Sequence, residues 1–337
     1  MTGDVLLHNT LWDQARRDAA ARHEHGMDFR PIFASIRPMI SGADLAICHL
    51  ETPLAPAGGP YSGYPLFSVP PQIARALSWL GYDGCTTASN HSLDAGDSGI
   101  RRTLDTLDRA DIAHAGSART RSESGRPILL EAGGVKVAVL SYTQMLNGLS
   151  PPAGKGWIVN TIDPKAILAD ARRARAAGAD LVLVALHWGE EYQHEPTSYQ
   201  RRIARRLFAS PNIDLVYGHH AHVVQPFQKI GGKWVAYGLG NEIADQRGLP
   251  GGTREGVLAR FTFTERPEGG WSVAAQYLPT YITADPDLRV VDLRRALANP
   301  RTSPATRAVY RQAWRDVTRN VAAAGGREAG LTPVTRD

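Results

Sequence analysis

Seven short apolar runs, at residues 4–7, 44–50, 85–88, 135–142, 180–186, 214–217 and 234–239, are separated in several places by amphipathic stretches at 72–80, 99–110, 164–177 and 199–209. Runs of that length read as buried strands, and the stretches between them carry helical spacing, so the chain predicts an α/β fold. After residue 240 the pattern changes. Residues 257–263 and 271–278 alternate polar and apolar positions around a Pro- and Gly-containing turn, as an antiparallel pair does. A helix is predicted over 304–324, with a frayed tail beyond Gly325 and Gly326. With 337 residues and 43% hydrophobic content the chain can bury a sizeable core.

Composition removes several function classes. The longest apolar run, 181–186, is far short of the ~18 residues of a membrane span, and the N-terminal residues lack the basic region of a signal peptide. A cytoplasmic protein without membrane partners is expected. The net charge of +5 comes from arginines scattered through predicted helices, with no aromatic-interleaved basic stripe, so no nucleic-acid partner is expected and a small anionic substrate is compatible. Cys48 and Cys85 match no C-x-x-C spacing and are expected to be reduced, buried thiols.

The polar residues at the strand ends are the informative ones. Tyr217-Gly218-His219-His220-Ala221-His222 places three histidines in four positions after an apolar run. In extended backbone His220 and His222 project to the same side and His219 elsewhere. Taken alone, the cluster reads either as solvated loop histidines or as metal ligands. Other strand ends carry Asp4 and His8, His49 and Glu51, Asn90, His91 and Asp94, and His187 and Glu190. Buried unpaired polar groups are costly, and a pair of divalent cations would satisfy such a set together. Carboxylate, amide oxygen and imidazole without thiolate suit Mn, Fe or Zn. Two such ions brace a displacement at phosphorus with an activated water as nucleophile.

Gly3-Asp4-Val5-Leu6-Leu7, residues 43–53 around His49-Leu50-Glu51, residues 88–96 around Asn90-His91, His187-Trp188-Gly189-Glu190-Glu191-Tyr192, residues 218–225 and Tyr237-Gly238-Leu239-Gly240-Asn241 resemble, in order, the motifs of the CapA family. That family is named for capsule and poly-γ-glutamate synthesis and is similar to the calcineurin-like metallophosphoesterases. The resemblance implies a four-layer αββα sandwich of two mixed β-sheets, metallophosphoesterase-like, around two divalent metal ions. It implies that Asp4 and His222 hold one ion, that Asn90, His187 and His220 hold the other, and that Glu51 bridges them. His91 takes the catalytic proton-donor place, or orients a ligand; Asp94 either holds His91 in one tautomer or caps the helix that follows.

The chain departs from the pattern in several places. Leu6 stands where the broader phosphoesterases have a histidine, with His8 the nearest substitute, and His49 stands where CapA proteins usually have asparagine. His49 and His219 are expected to support the ligands from behind. Arg254 matches a family position that clamps an anionic substrate, although an ion pair with a neighbouring glutamate suits it equally. His8, Trp188, Glu190 and Tyr192 are further candidates for the substrate pocket, although aromatics placed like Trp188 and Tyr192 more often serve packing, and Tyr61 and Tyr64 are candidates for a lid in the loop at 53–71. The segment from Gly148 to Lys155 lacks the Ser or Thr of a phosphate-binding loop, and neither G-x-S-x-G nor H-E-x-x-H occurs. The expected organisation is a catalytic domain at 1–283 and a C-terminal helical extension at 284–337. The leading functional expectation is a metal-dependent phosphoesterase; γ-glutamyl or other amide chemistry, and a non-catalytic binding protein, are the alternatives.

Overall fold

The structure is a computed structural model that describes residues 1–249 and 251–335. Two sheets face each other. In the first, strands Asn241–Ile243, Asp4–Val5, Ile47–Leu50, Gly84–Thr86 and Ala113–Ala115 lie in that order, every neighbouring pair parallel. The second runs Ile128–Ala132, Val135–Thr143, Leu181–His187, Leu215–His219, Lys233–Ala236 and Phe227–Ile230, parallel in its centre and antiparallel at both edges.

Helices cover both outer faces. Asn9–Ala20, Arg30–Phe33, Arg37–Ser41 and Ile73–Leu80 pack Leu11, Ile32, Phe33, Ile40 and Leu77 against Cys48, Leu50 and Cys85 of the first sheet. Pro164–Ala176 and Ser198–Phe208 pack Ile167, Ala171, Ile203 and Leu207 against Val182, Val184 and Val216 of the second. Both starts are encoded locally: Asp163 accepts from the Lys165 N–H before Pro164, and Thr197 forms a capping box with Gln200. The result is the expected α/β helix–sheet–sheet–helix layering, with a purely parallel first sheet.

A third sheet was only partly anticipated. Strands Glu255–Glu265 and Trp271–Ile282 form the expected antiparallel pair, extended by Val290–Asp292 and by Thr332–Pro333. Helix Pro304–Ala322 packs Val317 and Val321 into the same core as Val257, Ala275 and Tyr277. The expected boundary at residue 283 therefore falls inside this sheet. Over residues 327–335 the tail is not frayed, because Leu331 and Val334 are buried; residues 336 and 337 lie outside the described residues. Among the described residues no helix is long and apolar enough to cross a membrane. Cys48 and Cys85 are direct neighbours on adjacent strands, with Cα atoms 4.5 Å apart, and are joined as a disulfide. This corrects the expectation of reduced thiols: the register of two short strands, invisible to sequence spacing, brings them together.

Strand parity explains the site. On Leu181–His187, Leu181, Leu183 and Ala185 enter the core between the sheets while Val182, Val184 and Leu186 face the helices, so His187 points inward. The same alternation turns His49 inward beyond Ile47, and His219 inward beyond Leu215 and Tyr217. Cross-strand register aligns Asn241, Asp4, His49 and Thr86 in one row and Thr143, His187 and His219 in the facing row.

Candidate metal centre

Two groups of donors meet between these rows. In the first, Asp4 Oδ2 lies 3.2 Å from His222 Nδ1. In the second, His187 Nε2 lies 2.8 Å from Asn90 Oδ1, and the His220 ring is 4.8 Å from the His187 ring. Glu51 stands between them, its Oε1 3.8 Å from His222 Nε2 and 3.9 Å from His187 Nε2. All six residues proposed from the sequence as ligands are thus brought together, and all are buried.

Electrostatics identifies what the cluster lacks. Neither carboxylate oxygen of Glu51 has a hydrogen-bond partner, although its side chain is 0% exposed; His220 Nδ1 is equally unpartnered. Burial pushes the Glu51 carboxyl above its ordinary range, against the pull of His222. Burial also pushes Asp4 upward, but contacts with His219 and His222 outweigh it and hold the carboxyl well below the usual range. His222 is pushed up to about 9: burial disfavours its charge, and Glu51 and Asp4 more than compensate. His220 falls to about 4 and His187 is held well below its ordinary value, both chiefly by burial, so both offer lone pairs. A bare buried carboxylate ringed by imidazole lone pairs fits divalent cations, and Asp4, Glu51 and His222 converge closely enough to share one.

The loop after strand Leu215–His219 departs from extended backbone. His220 and His222 both have positive φ, 89° and 55°. The same-side argument for extended backbone therefore fails for this pair; a left-handed bend delivers them instead, a conformation that persists only where surrounding contacts impose it. One of those contacts is the His220 N–H, which donates to Asp4 Oδ2 at 3.2 Å. Gly218 is required here, because a Cβ would collide with the Tyr237 carbonyl and the Trp188 indole.

His49 and His219 touch the donors. His219 Nδ1 is 3.0 Å from Asp4 Oδ1, and His49 Nε2 is 3.0 Å from His187 Nδ1. Their rings stack at 4.0 Å with 14° between planes. His91 Nδ1 lies 2.7 Å from Asp94 Oδ2, so Asp94 holds the imidazole; helix Gly96–Arg109 has no side-chain cap, which removes the alternative role for Asp94. Asn241, which sequence reasoning left without a role, accepts at Oδ1 from His222 Nδ1 at 3.0 Å while its amide donates to Gln246 and the Thr253 carbonyl. Asn147 is a second omission: its Oδ1 accepts from Asn90 Nδ2 at 3.3 Å.

The substrate-side expectations fare unevenly. Tyr192, itself at φ 64°, sets its ring 6.2 Å from that of His222. Glu190 is exposed. His8 accepts at Nδ1 from the Asp245 N–H and meets the edge of Phe67, near the centre without joining either donor group. Trp188 does not line a pocket: it is fully buried, donates to the Tyr237 carbonyl and stacks on that ring. Arg254 is engaged with the third sheet. Its Nε donates to the Ile282 carbonyl at 2.8 Å and its guanidinium lies 4.6 Å over Tyr281. In the loop at 53–71, Phe67 meets His91 edge-on at 4.8 Å and Tyr64 is 79% exposed, whereas Tyr61 packs on Trp12.

Comparison with known proteins gives the family of the chain. The family model described as bacterial capsule synthesis protein PGA_cap matches residues 1–246. Capsule biosynthesis protein CapA of Bacillus anthracis is 25% identical over 329 residues, covering 95% of this chain and 73% of that protein. PGA biosynthesis protein CapA of Bacillus subtilis is 27% identical over 209 residues, 60% of this chain and 52% of that protein, so the match spans about half that relative's length. Among solved structures, a putative 5'-nucleotidase from Staphylococcus aureus aligns with TM-score 0.43 at 15% identity over 72% of this chain and 44% of that one. The calcineurin-like phosphoesterase YfkN from Bacillus subtilis aligns with TM-score 0.39 at 16% identity over 73% of each chain. With the match extending over most of the chain, including every donor of the centre, this protein belongs to the bacterial capsule synthesis protein PGA_cap family.

Proposed function

We propose that the chain is a two-metal hydrolase of a phosphate ester of a small substrate. The observation that carries the proposal is Glu51, a buried carboxylate with neither oxygen partnered, whose Oε1 stands 3.8 and 3.9 Å from a histidine of each donor group. Asp4 and His222 would hold one ion, Asn90, His187 and His220 the other, with Glu51 shared. Bound there, Mn, Fe or Zn would supply an activated water and a positive field at phosphorus.

The remaining work falls to protein groups. His91, oriented by Asp94, gives its proton to the leaving oxygen, and the edge of Phe67 against its ring restricts water on that side. Asn241 and His219 fix His222 and Asp4 in place. With Arg254 turned to Tyr281, an anionic group is met by the metals rather than by a guanidinium clamp.

The names of the Bacillus relatives favour a second reading, in which the same centre acts on a γ-glutamyl or related amide. Metal-loaded protein assayed against aryl phosphomonoesters, aryl phosphodiesters and γ-glutamyl amides separates the two. Ester turnover abolished by Asn90→Ala and His222→Ala supports the first; turnover of amides alone replaces it with the second. The Cys48–Cys85 disulfide fits an oxidising compartment better than the expected cytoplasm.

A further inference from the structure

Behind the donor groups runs a chain of hydrogen bonds that takes one direction when Nε2 of His187 is left free for a metal. It starts at the Cys48 carbonyl, which can only accept. Thr86 Oγ1 donates to that carbonyl at 3.3 Å, so toward His49 Nδ1, 2.8 Å away, the hydroxyl oxygen accepts. His49 then carries its proton on Nδ1 and accepts on Nε2 from His187 Nδ1, 3.0 Å away. His187 is left with a bare lone pair on Nε2, aimed at Asn90 Oδ1 at 2.8 Å. In this orientation the Asn90 amide keeps Oδ1 toward His187, with Nδ2 donating to Asn147 Oδ1. Two acceptors facing each other at that distance in a buried site repel unless a cation lies between or beside them.

From this geometry we infer that Thr86 and His49 form a positioning relay that holds His187 in its Nδ1–H tautomer and so presents the Nε2 lone pair to the second metal. The inference rests on the two-metal reading above. Histidine ligands to metals are regularly fixed through their other ring nitrogen by a carbonyl, carboxylate or water; here a second imidazole and a threonine extend that function to a strand carbonyl. The pattern also assigns His49 against the competing possibility that it is itself a ligand in a cluster with Asp4 and His219. Both of its nitrogens are engaged, and its ring lies nearly parallel to His219 at 4.0 Å. In-plane lone pairs of stacked rings do not converge on one ion.

The test uses the full chain loaded with Zn2+. In nitrogen-15 NMR of histidine-labelled protein, His187 is expected as the Nδ1–H tautomer with Nε2 bound to zinc. In competition with a chelator, Thr86→Val is expected to hold one zinc as wild type does and the other about 10–100-fold more weakly, with Thr86→Ser close to wild type. His49→Phe keeps an aromatic ring to stack on His219 and is expected to reproduce the Thr86→Val loss, which guards against a packing artefact at one position. Wild-type affinity for both ions in Thr86→Val and His49→Phe, or an Nε2–H tautomer of His187 in the loaded protein, overturns the relay alone. A full zinc equivalent lost in His49→Phe with Thr86→Val unaffected makes His49 a ligand and also overturns it. Wild-type protein that takes up fewer than two zinc ions overturns the two-metal reading, and the relay with it.

Discussion

Asp94 Oδ2 sits 2.7 Å from His91 Nδ1 and, on the same oxygen, accepts the Phe67 backbone N–H at 2.8 Å. One carboxylate therefore orients the proposed proton donor and ties down the loop that covers it. Asp94→Asn keeps the shape and weakens the hold on His91. Turnover is expected to fall about 10²-fold while both metals stay bound, as read by steady-state kinetics beside metal analysis. Metal lost in parallel with activity would make Asp94 a support for the donor groups instead.

Asn241 tests the other end of the centre. It holds His222 Nδ1 at 3.0 Å and is itself held by two further hydrogen bonds. Asn241→Leu removes one of the two oxygens that face that imidazole nitrogen, Asp4 Oδ2 remaining at 3.2 Å, at a cost of about 1 kcal/mol in stability. The metal bound by Asp4 and His222 should weaken about 10–100-fold, measured by chelator competition. An unchanged affinity would show that the bend alone positions His222.

Arg254 should matter for stability and not for substrate. Its guanidinium over Tyr281 and its bond to the Ile282 carbonyl stitch the third sheet to the loop before it. Arg254→Met is expected to lower stability by about 1–2 kcal/mol in denaturant titration and leave KM within about twofold. A KM raised tenfold at unchanged stability would return Arg254 to the substrate.

Stability should depend on pH through Glu242. Burial pushes its carboxyl up to about 7, against hydrogen bonds from Thr2 and Tyr82. In the unfolded chain the value is about 4.3. Between the two the folded state binds more protons, so stability falls as pH rises through that window, by about 3–4 kcal/mol in total. Glu242→Gln should remove this component of the slope and stabilise the protein at pH 8. Denaturation midpoints across pH 4–8 with the same slope in both proteins would contradict this origin.

Much of the centre was legible because strand parity is a local property. Alternation along 181–187 dictates that His187 points into the core, and the same rule places His49 and His219 there. His219 is the last residue of its strand and turns inward with it, and the bend begins one residue later. The positive φ of His220 and His222 has no signature in those residue types; it follows from contacts such as the His220 N–H on Asp4, 216 positions away. The cysteine pair was misread because its pairing is set by the register of two strands, which local spacing does not contain.

The most direct measurement is the metal content of the purified, reconstituted protein by elemental analysis, alone and with Glu51→Ala. The account predicts two divalent ions per chain, with the pair disrupted by Glu51→Ala because that carboxylate faces both donor groups. A single ion, or two ions held undiminished without Glu51, would contradict it.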